Sequence, residues 1–82
     1  MATDTTTNVN SLTHQGPYLD VVRLEDGRYC VQFVKQGAVP RTSYTGRVGD
    51  VVKQAQRAGN IPIHTNDADL WRLCRDQLVE LI

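Results

Sequence analysis

The sequence predicts a small α+β domain in which an N-terminal β-hairpin is packed by two helices, with the element order ββαβα or ββαα. Two observations predict this class. Two runs rich in β-branched and aromatic residues flank an Asp-Gly pair, and two later segments repeat apolar residues at helical spacing. Because an isolated hairpin is marginal in water, we expect the helices to cover one of its faces.

The start of the chain differs in composition from the rest. Residues 1–16 are rich in Thr, Asn and Ser and offer only Val9 and Leu12 as isolated apolar side chains. This composition is typical of a disordered tail, which leaves residues 17–82 as a single domain. The alternative is a segment that orders against a partner through Val9, Leu12 and His14.

Length and composition bound the class of protein. Eighty-two residues with zero net charge and 40% apolar residues are ordinary for one globular domain with a modest stability margin. The apolar runs are far shorter than the roughly 20 residues that cross a bilayer, and no leader peptide is recognisable. We therefore expect a cytoplasmic protein without membrane contact. Cys30 and Cys74 are expected to be reduced structural thiols, with a single reactive thiol as the alternative.

The hairpin from Tyr18 to Lys35 is the strongest pattern in the chain. Asp26 and Gly27 suit the two central positions of a type I′ turn, both of which need positive φ. A two-residue loop would pair Val22 with Val31 and fix which side chains face the helices. The residues predicted to face inward are Val22, Leu24, Tyr29, Val31 and Phe33. The opposite face, with Leu19, Val21, Cys30 and Val34, is expected to be half-solvated or covered by a loop, a strand or a partner.

The first helix is predicted to follow a loop. Residues 36–46 contain two glycines and a proline, although residues 41–44 can add a short edge strand. Thr45 is placed to cap the helix and Gly59 to end it. The apolar residues expected to face the core are Val48, Val51, Val52 and Ala55.

The second helix is predicted to extend to the end of the sequence. Thr65 or Asn66 can cap it, and Asp67 and Asp69 would then lie in its first turn, where the helix dipole favours negative charge. Its apolar residues cover close to half of the circumference, which is wide for so small a protein. They are Leu70, Trp71, Leu73, Cys74, Leu78, Leu81 and Ile82.

The stretch DVVKQAQRAGNIPIHTNDADLWRL, residues 50–73, is similar in rhythm to the helix, Ile-Pro-Ile strand and helix of the cytoplasmic export-switch domain in flagellar and type III secretion proteins. The Asn-Pro-Thr-His cleavage motif of that family is absent here. The resemblance therefore implies only that residues 61–63 form a third strand.

Residue patterns for catalysis, metal binding and phosphate binding are weak. His64 lies beside Asp67, but no nucleophile or paired acid stands at a suitable spacing, so a capping loop is the favoured interpretation. Two Cys and two His at scattered positions do not predict a metal site, and no cofactor is expected. The glycines of residues 44–50 precede a helix, which leaves an anion site as an alternative without the spacing of a nucleotide-binding loop.

Charged and aromatic residues suggest two contact surfaces. Residues 18–59 hold seven Lys/Arg against four Asp/Glu, whereas residues 60–82 hold two against four. One candidate surface is basic, and it comprises Arg41, Tyr44, Arg47, Lys53 and Arg57. The other is a margin of the second helix, where Trp and Arg are typical of interface hot spots. It comprises Trp71, Arg75, Leu78 and Ile82. A solvated helix face and a Trp71 that completes the core are the respective alternatives.

From the sequence we expect a small non-enzymatic protein-binding modulator or adaptor that docks through one or both of these surfaces. Bacterial or phage accessory proteins that inhibit or redirect a larger protein have this general build, which is an analogy at the level of the fold. The alternatives are a nucleic-acid-binding module that uses the basic first helix and a homodimeric structural protein that associates through the last helix. An enzyme that uses His64 is not expected.

Overall fold

The computed structural model describes residues 16–82 and shows an α+β fold with one four-stranded mixed sheet in the order β3-β2-β1-β4. The elements are β1 (Tyr18–Arg23), β2 (Tyr29–Val34), β3 (Arg41–Thr45), α1 (Val48–Arg57), β4 (Ile63–Thr65) and α2 (Ala68–Asp76). The predicted fold class, a hairpin packed by two helices, is confirmed. Apart from Gly16, the predicted tail with Val9, Leu12 and His14 lies outside the described residues.

The hairpin forms, but its register differs by one residue from the prediction. The Gly27 amide donates to the Leu24 carbonyl at 3.0 Å, and the Leu24 amide donates to the Arg28 carbonyl at 2.7 Å. In this loop only Gly27 has a positive φ, of 91°, so residues 25–27 form a three-residue loop with one left-handed residue instead of a type I′ turn.

The three-residue loop places each side chain of β1 on the opposite face of the sheet from the predicted one. Val21, instead of Val22, pairs with Val31, because a shift of one residue moves a strand's whole side-chain set to the other face. Leu19 and Val21 are therefore buried, whereas Val22 is 49% exposed, so the predicted inward set was wrong for Val22 and its companion Leu24. The β2 part was right, because Tyr29 and Val31 are buried.

Two further strands extend the hairpin on either side. The edge strand that the sequence allowed at residues 41–44 is present as β3 and pairs antiparallel with β2. On the other side, β4 runs parallel to β1, with Leu19 beside Ile63. A strand is therefore present near the predicted residues 61–63, but it comprises Ile63–Thr65, so only Ile63 belongs to both. The order is ββαβα with β3 inserted before α1.

Each helix is preceded by a threonine that does not itself cap it. The Thr45 hydroxyl accepts from the Arg47 amide at 3.2 Å, and Arg47 is the N-cap residue without a side-chain hydrogen bond. The Thr65 hydroxyl accepts from the Asp67 amide at 3.1 Å, and Asp67 caps α2. The predicted caps Thr45, Thr65 and Asn66 were therefore wrong, although both threonines order the turn before the cap.

The second helix is shorter than predicted, which breaks the wide apolar arc. It ends at Asp76, where the Leu78 amide donates to the Arg75 carbonyl and the Val79 amide donates to the Cys74 carbonyl. These two bonds form a Schellman motif with Leu78 in the left-handed position, at a φ of 59°. Leu78, Leu81 and Ile82 therefore do not lie on the helix. No helix among the described residues is long and apolar enough to span a membrane.

Asp67 joins the start of α2 to the hairpin. Its carboxylate accepts hydrogen bonds from the Leu70 amide at 3.0 Å and the Tyr29 hydroxyl at 2.9 Å, and Arg23 lies 3.5 Å away. Its side chain is 11% exposed. Burial by itself raises the pKa of this carboxyl, but the Leu70 and Tyr29 hydrogen bonds and the Arg23 charge outweigh burial and hold the pKa below its ordinary value.

The core lies between one face of the sheet and the two helices. Every strand except β3 contributes a buried side chain to it, and α1, α2 and Ile61, which lies between α1 and β4, contribute the rest. The buried residues are Leu19, Val21, Tyr29, Val31, Val51, Val52, Ala55, Ile61, Ile63, Leu70 and Cys74. Burial raises the pKa of the Cys74 thiol, which supports the predicted structural role of this cysteine.

Candidate protein-interaction site

The two edges of the sheet differ in how they are covered. At β4 the Ile63 amide donates to the Glu80 carbonyl at 2.9 Å, and the Ile82 amide donates to the Ile63 carbonyl at 3.1 Å. The residues after α2 thus protect this edge. At the other end of the sheet, β3 pairs with β2 on its inner side, and no strand among residues 16–82 pairs with its outer side. β3 is therefore an open edge strand.

Four residues of the predicted basic surface surround this open edge. Arg41 and Tyr44 lie on β3, and Lys53 and Arg57 lie on α1. We call these four residues and the grooves between them the basic edge. The strand and the helix are consecutive in the chain, joined by Gly46 and Arg47, and they line the same two grooves.

The larger groove of the basic edge has an apolar floor. It encloses about 450 Å³ between β3 and the end of α1, with Arg41 on one wall and Arg57 on the other. Leu19 and Phe33 form the floor. The full set of lining residues is Leu19, Phe33, Arg41, Thr42, Ser43, Gln54, Arg57 and Ala58. Such a groove can accept an apolar side chain while its rim binds a negative charge.

A second groove continues along α1 and shares Gln54 and Arg57 with the first. It encloses about 330 Å³ and is lined by Tyr44, Thr45, Asp50, Lys53, Gln54 and Arg57. Asp50 is the acidic residue in this lining, and its carboxylate accepts a hydrogen bond from the Thr45 hydroxyl at 2.9 Å. The two grooves together flank β3 from Arg41 to Thr45.

The cations of the basic edge differ from Arg23 and Arg28 in having no acidic partner in the described part of the chain. Arg23 lies 3.0 Å from Asp69, and Arg28 lies 2.7 Å from Asp26. Within residues 16–82, none of the three basic-edge cations, Arg41, Lys53 and Arg57, forms an ion pair. Their charge is therefore available to an incoming anion.

Several residues of this site are not indicated by the sequence. The Arg28 guanidinium lies 5.4 Å from the centre of the Tyr44 ring, which is 57% exposed to solvent. This cation–π contact stabilises the position of the ring. Gln54 joins the wall through a 3.5 Å contact with the Ser43 hydroxyl. These pairs join residues from different parts of the fold, so they follow from how β3 packs against the hairpin and α1. Conversely, Arg47 is the N-cap of α1 and lines neither groove.

The other predicted surface is divided in the structure. The Arg75 guanidinium lies 5.7 Å from the Trp71 ring, which is 43% exposed, so these two residues do form a patch. Leu78 instead lines a groove with Gln56 from α1, and Trp71 is not among the residues of that groove. Ile82 belongs to the segment that covers β4.

His64 has a different carboxylate neighbour from the one considered in the sequence. Its Nδ1 lies 3.2 Å from Asp20 Oδ1, on the sheet face away from the helices, and both side chains are about one-third exposed. Neither residue lines the basic-edge grooves. Among residues 16–82 no group of three His, Cys, Asp or Glu side chains is placed to hold a metal ion.

Comparison with known proteins assigns the chain to no family. No protein family profile, curated protein or solved structure matches the chain.

Proposed function

We propose that the protein is a small non-enzymatic protein-binding modulator or adaptor, and that a partner protein docks on the basic edge. The observation that supports the proposal is an open edge strand beside three cations that have no ion-pair partner among the described residues. Open edges promote association with other chains, and proteins commonly cover them or blunt them. Here one edge is covered and the other is lined by a groove.

The chemistry of the basic edge favours a protein partner over a nucleic acid. The groove floor is apolar, with Leu19 and Phe33, whereas a phosphate backbone offers no apolar side chain to fill it. Binding to a nucleic-acid backbone also depends on several uncompensated cations, and this chain has zero net charge.

Affinity capture with matched charge variants tests the proposal. The full chain, an Arg41→Glu/Arg57→Glu variant and an Arg72→Glu/Arg75→Glu variant are each used as bait in a lysate of the source cell. We expect a protein retained by the full chain and by the α2 variant but lost from the basic-edge variant. Both variants change the net charge equally, so nonspecific charge effects are matched.

Two other outcomes contradict the proposal. Equal capture by the basic-edge variant would remove this surface as the docking site, and loss only from the α2 variant would move the site to Trp71 and Arg75. Circular dichroism of each bait checks that the variants fold, which is expected because the substituted side chains are exposed.

A further inference from the structure

We propose that the basic edge binds an extended acidic peptide segment of its partner by strand addition, with the peptide backbone pairing to the outer edge of β3. This inference rests on the proposed function and specifies the binding mode and the chemistry of the partner. In strand addition, main-chain hydrogen bonds supply affinity and contacts to alternate side chains supply specificity.

The backbone of β3 is suited to this pairing. The strand has five residues, and the first four are exposed. Its inner side is held in register by β2, with Val31 opposite Ser43, so the strand is ordered before any ligand arrives. A pre-ordered edge lowers the entropy cost of binding an extended segment.

The side chains of β3 divide between the two faces of the sheet. Arg41, Ser43 and Thr45 pair with core-facing residues of β2 and therefore lie on the helix side, while Thr42 and Tyr44 lie on the other side. An added strand would place alternate side chains on each face. Those on the helix side would meet the β3–α1 grooves.

Charge complementarity identifies the class of ligand. Side chains entering the first groove from an added strand would meet Arg41 and Arg57, whereas those entering the second would meet Lys53 together with Asp50. Carboxylates at alternate positions match the two arginines, and the apolar side chains between them lie on the other face of the sheet, on the same side as Thr42 and Tyr44. The ligand is therefore an acidic segment with interspersed apolar residues.

The same charges disfavour self-association through this edge. A second copy of the chain would bring an identical set of cations, Arg41, Lys53 and Arg57, to the junction. Charged residues on edge strands are a known protection against such pairing. The basic-edge cations would therefore attract an acidic segment and repel a second copy of the chain.

Fluorescence anisotropy with defined peptides tests the ligand class. The full chain is titrated with a fluorescein-labelled, end-capped Glu-Val repeat of eight residues, a matched Lys-Val repeat and a labelled oligothymidylate. We expect the Glu-Val peptide to bind, the Lys-Val peptide to bind at least about tenfold more weakly, and Arg41→Glu/Arg57→Glu to remove the preference. Affinity should also fall as salt rises, because the contacts are exposed. No binding of the Glu-Val peptide at about 1 mM, or tighter binding of the oligothymidylate, overturns the inference.

Alternate N-methylation of the Glu-Val peptide tests strand addition itself. In a strand, the N–H groups of successive residues point to opposite sides, so either the Glu amides or the Val amides face β3. Methylation of the set that faces β3 must block pairing, whereas methylation of the other set must leave pairing intact. We expect one of the two methylated peptides to lose at least about tenfold in affinity and the other to keep it. If both bind like the parent, or both fail, strand addition is wrong. Docking on the basic edge is judged separately by the capture experiment, which does not depend on how the peptide backbone binds.

Discussion

The two edges of the sheet are completed in different ways. At β4, Ile63 is fully buried and hydrogen-bonded to residues that follow α2. At β3, Arg41 and Ser43 are exposed and the outer side has no partner among residues 16–82. One edge therefore contributes to stability, whereas the other is free to contribute to recognition. The predictions below test this division, beginning with the largest expected effect.

Replacement of Ile63 by Ala should give the largest loss of stability. The side chain is 0% exposed at the centre of the covered edge, and truncation there leaves a cavity. We expect the free energy of unfolding to fall by about 3–4 kcal/mol. Ser43→Ala at the open edge should change it by less than about 0.5 kcal/mol. Urea denaturation followed by circular dichroism measures both, and similar losses would remove the distinction between the edges.

Asp67→Ala should give the second largest loss, since Asp67 follows the covered edge. The substitution removes the cap of α2 and leaves the Tyr29 hydroxyl without its acceptor. Together these effects should cost about 2 kcal/mol. Thr45→Ala, at the last residue of β3, should cost less, because α1 has no side-chain cap to lose. A larger cost at Thr45 would contradict this ranking.

Asp67 also predicts how stability depends on pH. Its pKa in the folded protein lies below the ordinary value of 3.8, so the folded state favours the ionised carboxyl. The stabilisation it provides is fully present above 3.8 and is lost as pH falls through the lower, folded-state pKa. Urea denaturation from pH 6 downward should therefore show a decline that is smaller in Asp67→Asn. An identical decline in both proteins would assign the acid sensitivity to other groups.

Ile82→Pro tests the hydrogen bonds that cover β4. Proline removes the amide that donates to the Ile63 carbonyl, leaving an acceptor in a buried residue without its donor. We expect a loss of about 1–2 kcal/mol, whereas Ile82→Val, which keeps the amide, should lose less than about 0.5 kcal/mol. Denaturation of the two variants under the same conditions gives the comparison. Equal stabilities would show that the residues after α2 do not protect this edge.

The fold class was predictable because the signals were local, but the hairpin register was not. The Asp-Gly pair is compatible with both a two-residue loop and the observed three-residue loop. The choice depends on whether Asp26 as well as Gly27 adopts positive φ, and here only Gly27 does. The two-residue loop therefore predicts the correct inward face for β2 and the wrong one for β1. The difference exposes Val22 and buries Val21.

The residues of the candidate site were predictable, but their arrangement around β3 and α1 was not. Arg41, Tyr44, Lys53 and Arg57 were recognised as a basic row, yet nothing local indicates that β3 pairs with β2 and lies beside the end of α1. Phe33, the groove floor, belonged in the sequence interpretation to the core alone. The end of α2 was missed because Leu78 occupies a position where glycine is the usual signal.

The ends of the two helices provide the smallest and most specific test. α1 ends before Gly59, at a φ of 104°, whereas α2 ends before Leu78, whose side chain is 92% exposed at a φ of 59°. Leu78→Gly should relieve left-handed strain and raise the free energy of unfolding by about 0.5–1 kcal/mol, after allowing for the greater freedom of glycine in the unfolded chain. Gly59→Ala should lower it by about 1 kcal/mol.

Thermal and urea denaturation of both variants measure these opposite signs. A loss of stability in Leu78→Gly would mean that the leucine makes a stabilising contact that outweighs its backbone strain. The variant should leave binding of the Glu-Val peptide unchanged, since Leu78 lies outside both grooves of the basic edge. If stability rises while capture of the partner falls, the exposed leucine is itself a contact, and the partner extends from the open edge toward the end of α2.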